Sequence, residues 1–235
     1  MAEIKEIGIG LSVLGEHAQE RGRRIRVEKG VMALNDQYAA ANRARLRAAG
    51  VRTLNLLSSP GAGKTTLLSR TLQDLQDSLS MAVIVGDLAT DNDAQRLRVG
   101  GATAVQIQTG TLCHLEAAMI ERALEPLNLE ALDLLFIENV GNLVCPAAYD
   151  LGEDARVVLF STTEGEDKPL KYPRMFKSAD LILVTKSDLA EAVGFDRASA
   201  LENLGQVAPQ AAILEVSTRT GMGLEAWYDF LRRPN

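Results

Sequence analysis

From residue 53 onward, short aliphatic runs alternate with amphipathic stretches. The runs Thr53–Leu57, Ala82–Gly86, Ala102–Ile107, Leu132–Ile137, Val157–Phe160, Leu181–Val184 and Ala212–Val216 read as strands. Their apolar positions are nearly continuous, the mark of strands buried on both faces. Helical periodicity fills the gaps at Lys64–Leu79, Asn92–Val99, Cys113–Leu124, Arg197–Val207 and Leu224–Arg232. This alternation predicts an α/β fold, with a mostly parallel, roughly seven-stranded sheet flanked by helices. Ahead of it a helix is predicted from about Val27 to Ala49, with Val31, Leu34, Tyr38 and Ala41 near one face and Gly50 at its end. Gly8, Gly10, Gly15 and Gly22 argue against a stable helix before that. The expected division is an N-terminal extension over 1–50 and one α/β domain over 51–235.

Composition narrows the picture. Only 4% of residues are aromatic against 46% apolar, so the core rests on Val, Ile, Leu and Ala. The net charge is -6, a poor basis for nucleic-acid binding, which needs clustered Lys and Arg. The basic cluster Arg21–Lys29 and the stripe Arg43, Arg45 and Arg47 read as solvated faces. Two cysteines make no disulfide framework. No apolar run is long enough for a membrane span, and Met1–Glu16 has no basic leader with an apolar stretch, so a cytoplasmic protein is expected.

The chemistry follows the strands. Ser58-Ser59-Pro60-Gly61-Ala62-Gly63-Lys64-Thr65-Thr66 joins the first strand to a helix and resembles the phosphate loop G-x-x-x-x-G-K-[ST], with Ser58 in place of the first Gly. Its glycines let successive N–H groups wrap phosphates at a helix N-terminus. Lys64 is expected on the β- and γ-phosphates and Thr65 on Mg²⁺.

Thr185-Lys186-Ser187-Asp188 resembles the guanine-recognition motif of GTPases, with Thr185 for the usual Asn. A carboxylate at Asp188 accepts from guanine N1–H and N2–H, a donor pair adenine lacks, and Lys186 lies across the base. The stretch from Ser217 through Thr220-Gly221-Met222-Gly223 resembles the second guanine loop of GTPases, which Ser217 is expected to shape. Glu138-Asn139-Val140-Gly141 resembles the D-x-x-G element that senses the γ-phosphate and Mg²⁺. Asp87 is the other acid, assigned to magnesium and the attacking water; Asp91 and Asp93 compete with it, or cap a helix. The catalytic set expected is Lys64, Asp87 and Glu138, with Thr65, Asp87 and Glu138 around Mg²⁺.

Cys113 and His114 follow the third predicted strand, and Cys145 follows the fourth. Two thiolates and an imidazole suit Zn²⁺ or Ni²⁺, and three donors leave a position open. Two buried cysteines and a capping His remain an alternative on spacing alone. His17 receives no role.

Together these segments resemble the hydrogenase nickel-incorporation GTPases, the HypB family. The telling stretches are NLLSSPGAGKTTLL, GDLATDNDAQRL, TGTLCHLEAAMI, IENVGNLVCPAAYDLGE and EGEDKPLKYPRMF. The resemblance implies a P-loop GTPase of the dimerising branch that binds GTP, GDP and Mg²⁺. It also implies a homodimer whose interface shares a nickel or zinc site at Cys113, His114 and Cys145. Lys168, with Lys171 nearby, matches a loop lysine that reaches the partner's nucleotide. The implied partners are other hydrogenase maturation proteins and the hydrogenase large subunit as nickel acceptor, with neither nucleic acid nor membrane. The N-terminus departs from the Cys-rich or His-rich forms in the family, which argues against metal storage and leaves its helix to dock another maturation protein. The alternative is a GTPase scaffold or regulator for another metalloenzyme, such as urease, with a structural zinc; a small-molecule kinase would have no use for T-K-x-D.

Overall fold

A computed structural model of the protein describes residues 30–87, 92–99 and 102–233. The glycine-spaced N-terminal stretch, His17, the cluster Arg21–Lys29 and Asp91 lie outside the described residues.

Seven strands form one all-parallel sheet: β1 (Arg52–Ser58), β2 (Met81–Asp87), β3 (Thr103–Gln108), β4 (Leu134–Glu138), β5 (Ala155–Ser161), β6 (Leu181–Thr185) and β7 (Ala212–Glu215). Their order is β3-β2-β4-β1-β5-β6-β7. All seven predicted strands are present, with ends shifted by a few residues. Helices cover both faces: α1 (residues 30–48), α2 (Lys64–Leu75), α3 (Asn92–Val99), α4 (Ala117–Ala123), α5 (Lys168–Lys171), α6 (Pro173–Lys177), α7 (Arg197–Val207) and α8 (Leu224–Arg232). After β4 the chain crosses over β1 to start β5, so the carboxyl ends of β1 and β4 flank the point where the winding reverses. Open α/β sheets gather ligands there.

Strand alternation sorts the core. Leu54, Leu56, Val83, Val85 and Phe136 pack with α2 and α8 through Leu67, Leu68 and Trp227. Ala82, Ile84, Leu135 and Ile137 face the opposite way and meet Leu46 of α1 and Ile120 of α4. Farther along, Val158, Phe160 and Ile182 pack on Phe176 of α6 and Leu204 of α7.

Three expectations need correction. The inward face of α1 is not the Val31–Leu34 side: Val31 and Leu34 are 46% and 55% exposed, while Asn35, Ala39, Asn42 and Leu46 are buried. The two asparagines go inward because they satisfy backbone groups there. Asn42 Nδ2 donates to the carbonyls of Ala117 (2.8 Å) and Leu151 (3.2 Å), and Asn35 Nδ2 donates to Asp150 O (2.8 Å). The contact is tight at Gly152, where φ is 96° and a Cβ would lie 2.7 Å from Ala39 O. The helix expected at Cys113 begins only at Ala117, with Glu116 extended at φ -114° and ψ 152°. The helix expected to reach Leu79 ends at Leu75.

Candidate nucleotide and metal sites

The phosphate loop is built as its sequence requires. Gly61 and Gly63 have φ of 74° and 101°, in the left-handed region, and Gly63 directly precedes α2. Lys64 is buried, and its Nζ donates to Ser58 Oγ at 2.9 Å. Ser58, where the pattern calls for Gly, thus holds the lysine and donates in turn to Ser59 O at 2.6 Å. Burial pushes the Lys64 ammonium below its usual pKa, against the pull of Glu138.

A cleft of about 380 Å³ opens beside the loop, lined by Gly61, Gly63, Lys64, Thr65, Asp87 and Glu138 among others. Glu138 ends β4 beside Leu56 of β1. Its Oε1 accepts from the Thr65 hydroxyl at 2.6 Å, and its Oε2 is buried with no partner. Burial raises its pKa to about 7, opposed by Lys64 and by the Thr65 hydrogen bond. A buried carboxylate oxygen without a partner, beside a hydroxyl and near Asp87, is the donor set a hard cation such as Mg²⁺ takes. Gly141 packs on the loop so closely that a Cβ would lie 2.9 Å from Pro60 Cα. Asp93 also lines this cleft, so both described acids weighed from the sequence reach it.

The residues expected to read the base gather on the other side of β1. Thr185 ends β6, and its Oγ1 donates to Ala62 O at 2.7 Å, tying that strand to the phosphate loop. Lys186 follows at φ 55°, the one described non-glycine residue with positive φ. Ser217 Oγ donates to Asp188 Oδ1 at 2.7 Å and fixes the carboxylate. A carboxylate has two acceptor oxygens, so this bond leaves Asp188 further acceptor capacity at Oδ2. Lys168 opens α5, with Nζ 4.0 Å from Glu164, and Glu164 also accepts from Ser59 Oγ at 2.5 Å. The segment 162–177 forms short helical turns that its sequence pattern did not reveal, because no run there is long enough to display a period.

At the ends of β3 and β4 a second cluster forms. One donor atom each from Cys113, His114 and Cys145 lie within 4.8 Å of one another. Cys113 Sγ is 3.9 Å from His114 Nδ1. The far nitrogen, His114 Nε2, is buried and lies 3.6 Å from Glu116 Oε1, and the ring stacks on Tyr149 at 4.0 Å. Burial holds His114 below its usual pKa, and the adjacent Cys145 raises that of Cys113. Nδ1 therefore faces the thiols, while Glu116 and Tyr149 orient the ring from behind. Glu116 and Tyr149 went unassigned in the sequence; only the i+2 spacing from His114 hinted at Glu116.

The family model for the CobW/HypB/UreG nucleotide-binding domain matches residues 52–215. HypB of Rhizobium leguminosarum bv. viciae, a hydrogenase maturation factor, is 50% identical over 232 residues, covering 98% of this chain and 78% of that protein. The chain belongs to the HypB family of hydrogenase maturation factors. Two HypB crystal structures share the fold with a TM-score of 0.80. The one from Archaeoglobus fulgidus is 42% identical and covers 85% of this chain and 98% of its own. The one from Helicobacter pylori, in complex with nickel, is 45% identical and covers 84% of this chain and 93% of its own. As a HypB chain, this protein carries a nucleotide-binding domain on a seven-stranded parallel sheet, and no helix among its described residues is long and apolar enough to cross a membrane.

Proposed function

We propose that this protein hydrolyses GTP and uses the nucleotide to control delivery of nickel during nickel–iron hydrogenase maturation, working as a cytoplasmic homodimer. The observation that carries the reading is the three-donor cluster Cys113, His114 and Cys145, built on segments that leave the sheet beside the nucleotide cleft. The nickel complex of the Helicobacter pylori relative supports nickel as cargo over a structural zinc.

In this reading the phosphate loop's N–H groups and Lys64 hold the triphosphate. Asp188 selects guanine, because its carboxylate, held by Ser217, needs two donors from the base edge. Thr65 and Glu138 would hold Mg²⁺, with Asp87 close by; bound Mg²⁺ neutralises charge on the phosphate oxygens. Asp87 orients the attacking water, and the Glu138–Gly141 segment senses the γ-phosphate. Lys168 reaches toward the partner's nucleotide once Glu164 releases it. The acceptors are other maturation proteins and the hydrogenase large subunit. The extension over 1–50 docks one of these proteins, while the domain over 51–235 carries both sites.

Nickel affinity measured with a GTP analogue and with GDP tests the proposal, alongside Cys113→Ala. A several-fold difference between nucleotides, with binding lost in the variant, is expected. Equal affinity in both states, or nickel binding that ignores Cys113, would favour a scaffold GTPase instead.

A further inference from the structure

Leu115 stands where the two sites meet. It follows His114 directly, and its side chain is fully buried. Its side chain packs against Gly86 so closely that a Cβ on that glycine would lie 2.8 Å from it. Its N–H points to Asn139 Oδ1 at 3.4 Å. Gly86 and Asn139 are the sequence neighbours of Asp87 and Glu138, two of the acids lining the nucleotide cleft. The segment bearing Cys113 and His114 is therefore braced against the backbone beside both acids.

Asn139 does more than brace Leu115. It is 2% exposed, and its Oδ1 also accepts from Val140 N at 2.9 Å. Its Nδ2 donates to Asn55 Oδ1 at 3.3 Å, and Asn55 Nδ2 donates to Glu153 Oε1 at 3.1 Å. Glu153 Oε1 accepts from Arg156 Nε at 2.7 Å, and Arg156 Nη2 donates to Tyr149 O at 2.8 Å. Tyr149 stacks on the His114 ring. A polar network, buried at Asn139, Asn55 and Glu153 and partly buried at Arg156, thus runs from beside Glu138 to Tyr149 under the His114 ring, while the Leu115 amide bond approaches His114 along the chain. Buried hydrogen-bonded groups cannot slide continuously, because each lost bond costs a desolvated donor or acceptor. They switch between discrete arrangements, and a ligand that prefers one arrangement shifts the population.

We infer that Asn139 is the positioning residue that links the state of the nucleotide cleft to the geometry of the Cys113–His114–Cys145 cluster. This rests on the nickel-delivery reading and names the side chain that transmits it. With Glu138 in place, Asn139 holds Leu115 and so fixes His114. When the Glu138–Gly141 segment moves, the Leu115 amide loses its acceptor and the donor triangle opens.

The test follows nickel binding to the full chain by its thiolate-to-nickel charge-transfer absorption, with GTP analogue and with GDP, for wild type and Asn139→Ala. The wild type should bind nickel several-fold differently in the two states. The variant should keep the absorption band but bind nickel with nearly the same affinity in both. A variant with the wild-type ratio overturns the role of Asn139 and leaves the nickel-delivery reading standing. A wild type without nucleotide dependence overturns both. If Asn139→Ala does not fold, amide hydrogen exchange at Leu115 in the wild type decides. Its protection should differ about tenfold between nucleotide states, the size expected of a coupling of this kind, and equal protection overturns the inference.

Discussion

At the scale of single residues, burial turns Glu138 into a group whose charge depends on its ligands. Its pKa of about 7 lies well above the usual 4.5 because desolvation outweighs Lys64 and the Thr65 hydrogen bond. Between about pH 4.5 and 7, the folded nucleotide-free protein holds a proton that the unfolded chain has released. Stability therefore falls as pH rises through that window, by an amount on the order of 3 kcal/mol. Glu138→Gln should flatten that slope in urea unfolding curves taken from about pH 5 to about pH 8; an unchanged slope would assign it to another group. Binding of Mg²⁺ and nucleotide should expel the same proton, which calorimetry in buffers of different ionisation enthalpy would detect. Asp188 makes a second prediction. Asp188→Asn removes an acceptor for two guanine N–H groups and offers a donor instead. GTP affinity should drop by about two orders of magnitude, while xanthosine triphosphate, with a carbonyl at that edge, gains. Unaltered GTP binding in a fluorescence titration would remove Asp188 from base reading.

At the scale of elements, what the sequence disclosed depended on whether the cause was local. All seven strands were legible because their aliphatic runs are continuous and buried on both faces. The phosphate loop was legible because Gly61, Gly63 and Lys64 carry their geometry in their identity. The start of α4 was not, since its cause lies far away in the chain. The amide of Ala117 at that helix's first turn is satisfied by Asn35 Oδ1 at 2.9 Å, and Glu116 supplies no side-chain cap. No pattern around residue 113 announces a partner on α1. The same distance effect inverted the reading of α1, where apolar Leu34 faces out and polar Asn35 faces in. The cysteine pair was legible as candidate donors, but its meeting with His114 needed β3 and β4 on either side of β2. These two neighbours on α1 therefore give opposite predictions. Asn35→Ala leaves the Ala117 amide and Asp150 carbonyl without their partner and should cost about 1–2 kcal/mol in urea unfolding. Leu34→Ala should stay within about 0.5 kcal/mol of wild type. If Leu34 proved the costlier change, the orientation of α1 would be wrong.

At the scale of the whole molecule, the donor cluster lies at a surface rather than inside a closed pocket. Cys113 and Cys145 are only partly buried, and each is preceded by an exposed apolar residue, Leu112 at 36% and Val144 at 63%. Three protein donors leave a coordination position open, and apolar side chains beside it favour a covering partner. A second copy of the chain would meet both needs, since a twofold axis near Val144 would place one patch against itself and bring two donor sets together. Such an interface would also face the Glu138–Gly141 segment, because Cys145 follows it by four residues. The nucleotide could then act on the dimer and on the metal cluster through the same stretch of backbone. The expected outcome is a doubling of mass with GTP analogue, but not with GDP, in analytical ultracentrifugation. Val144→Glu would put two like charges near the axis, and the dimer should be lost across the concentration range where wild type forms it. Nucleotide affinity of the monomer should stay as it was, because Val144 lies outside the lining of the phosphate cleft. A Val144→Glu protein that dimerises at the wild-type concentration would show that the copies meet on another face, and the open coordination position would then have to be closed by the acceptor protein itself.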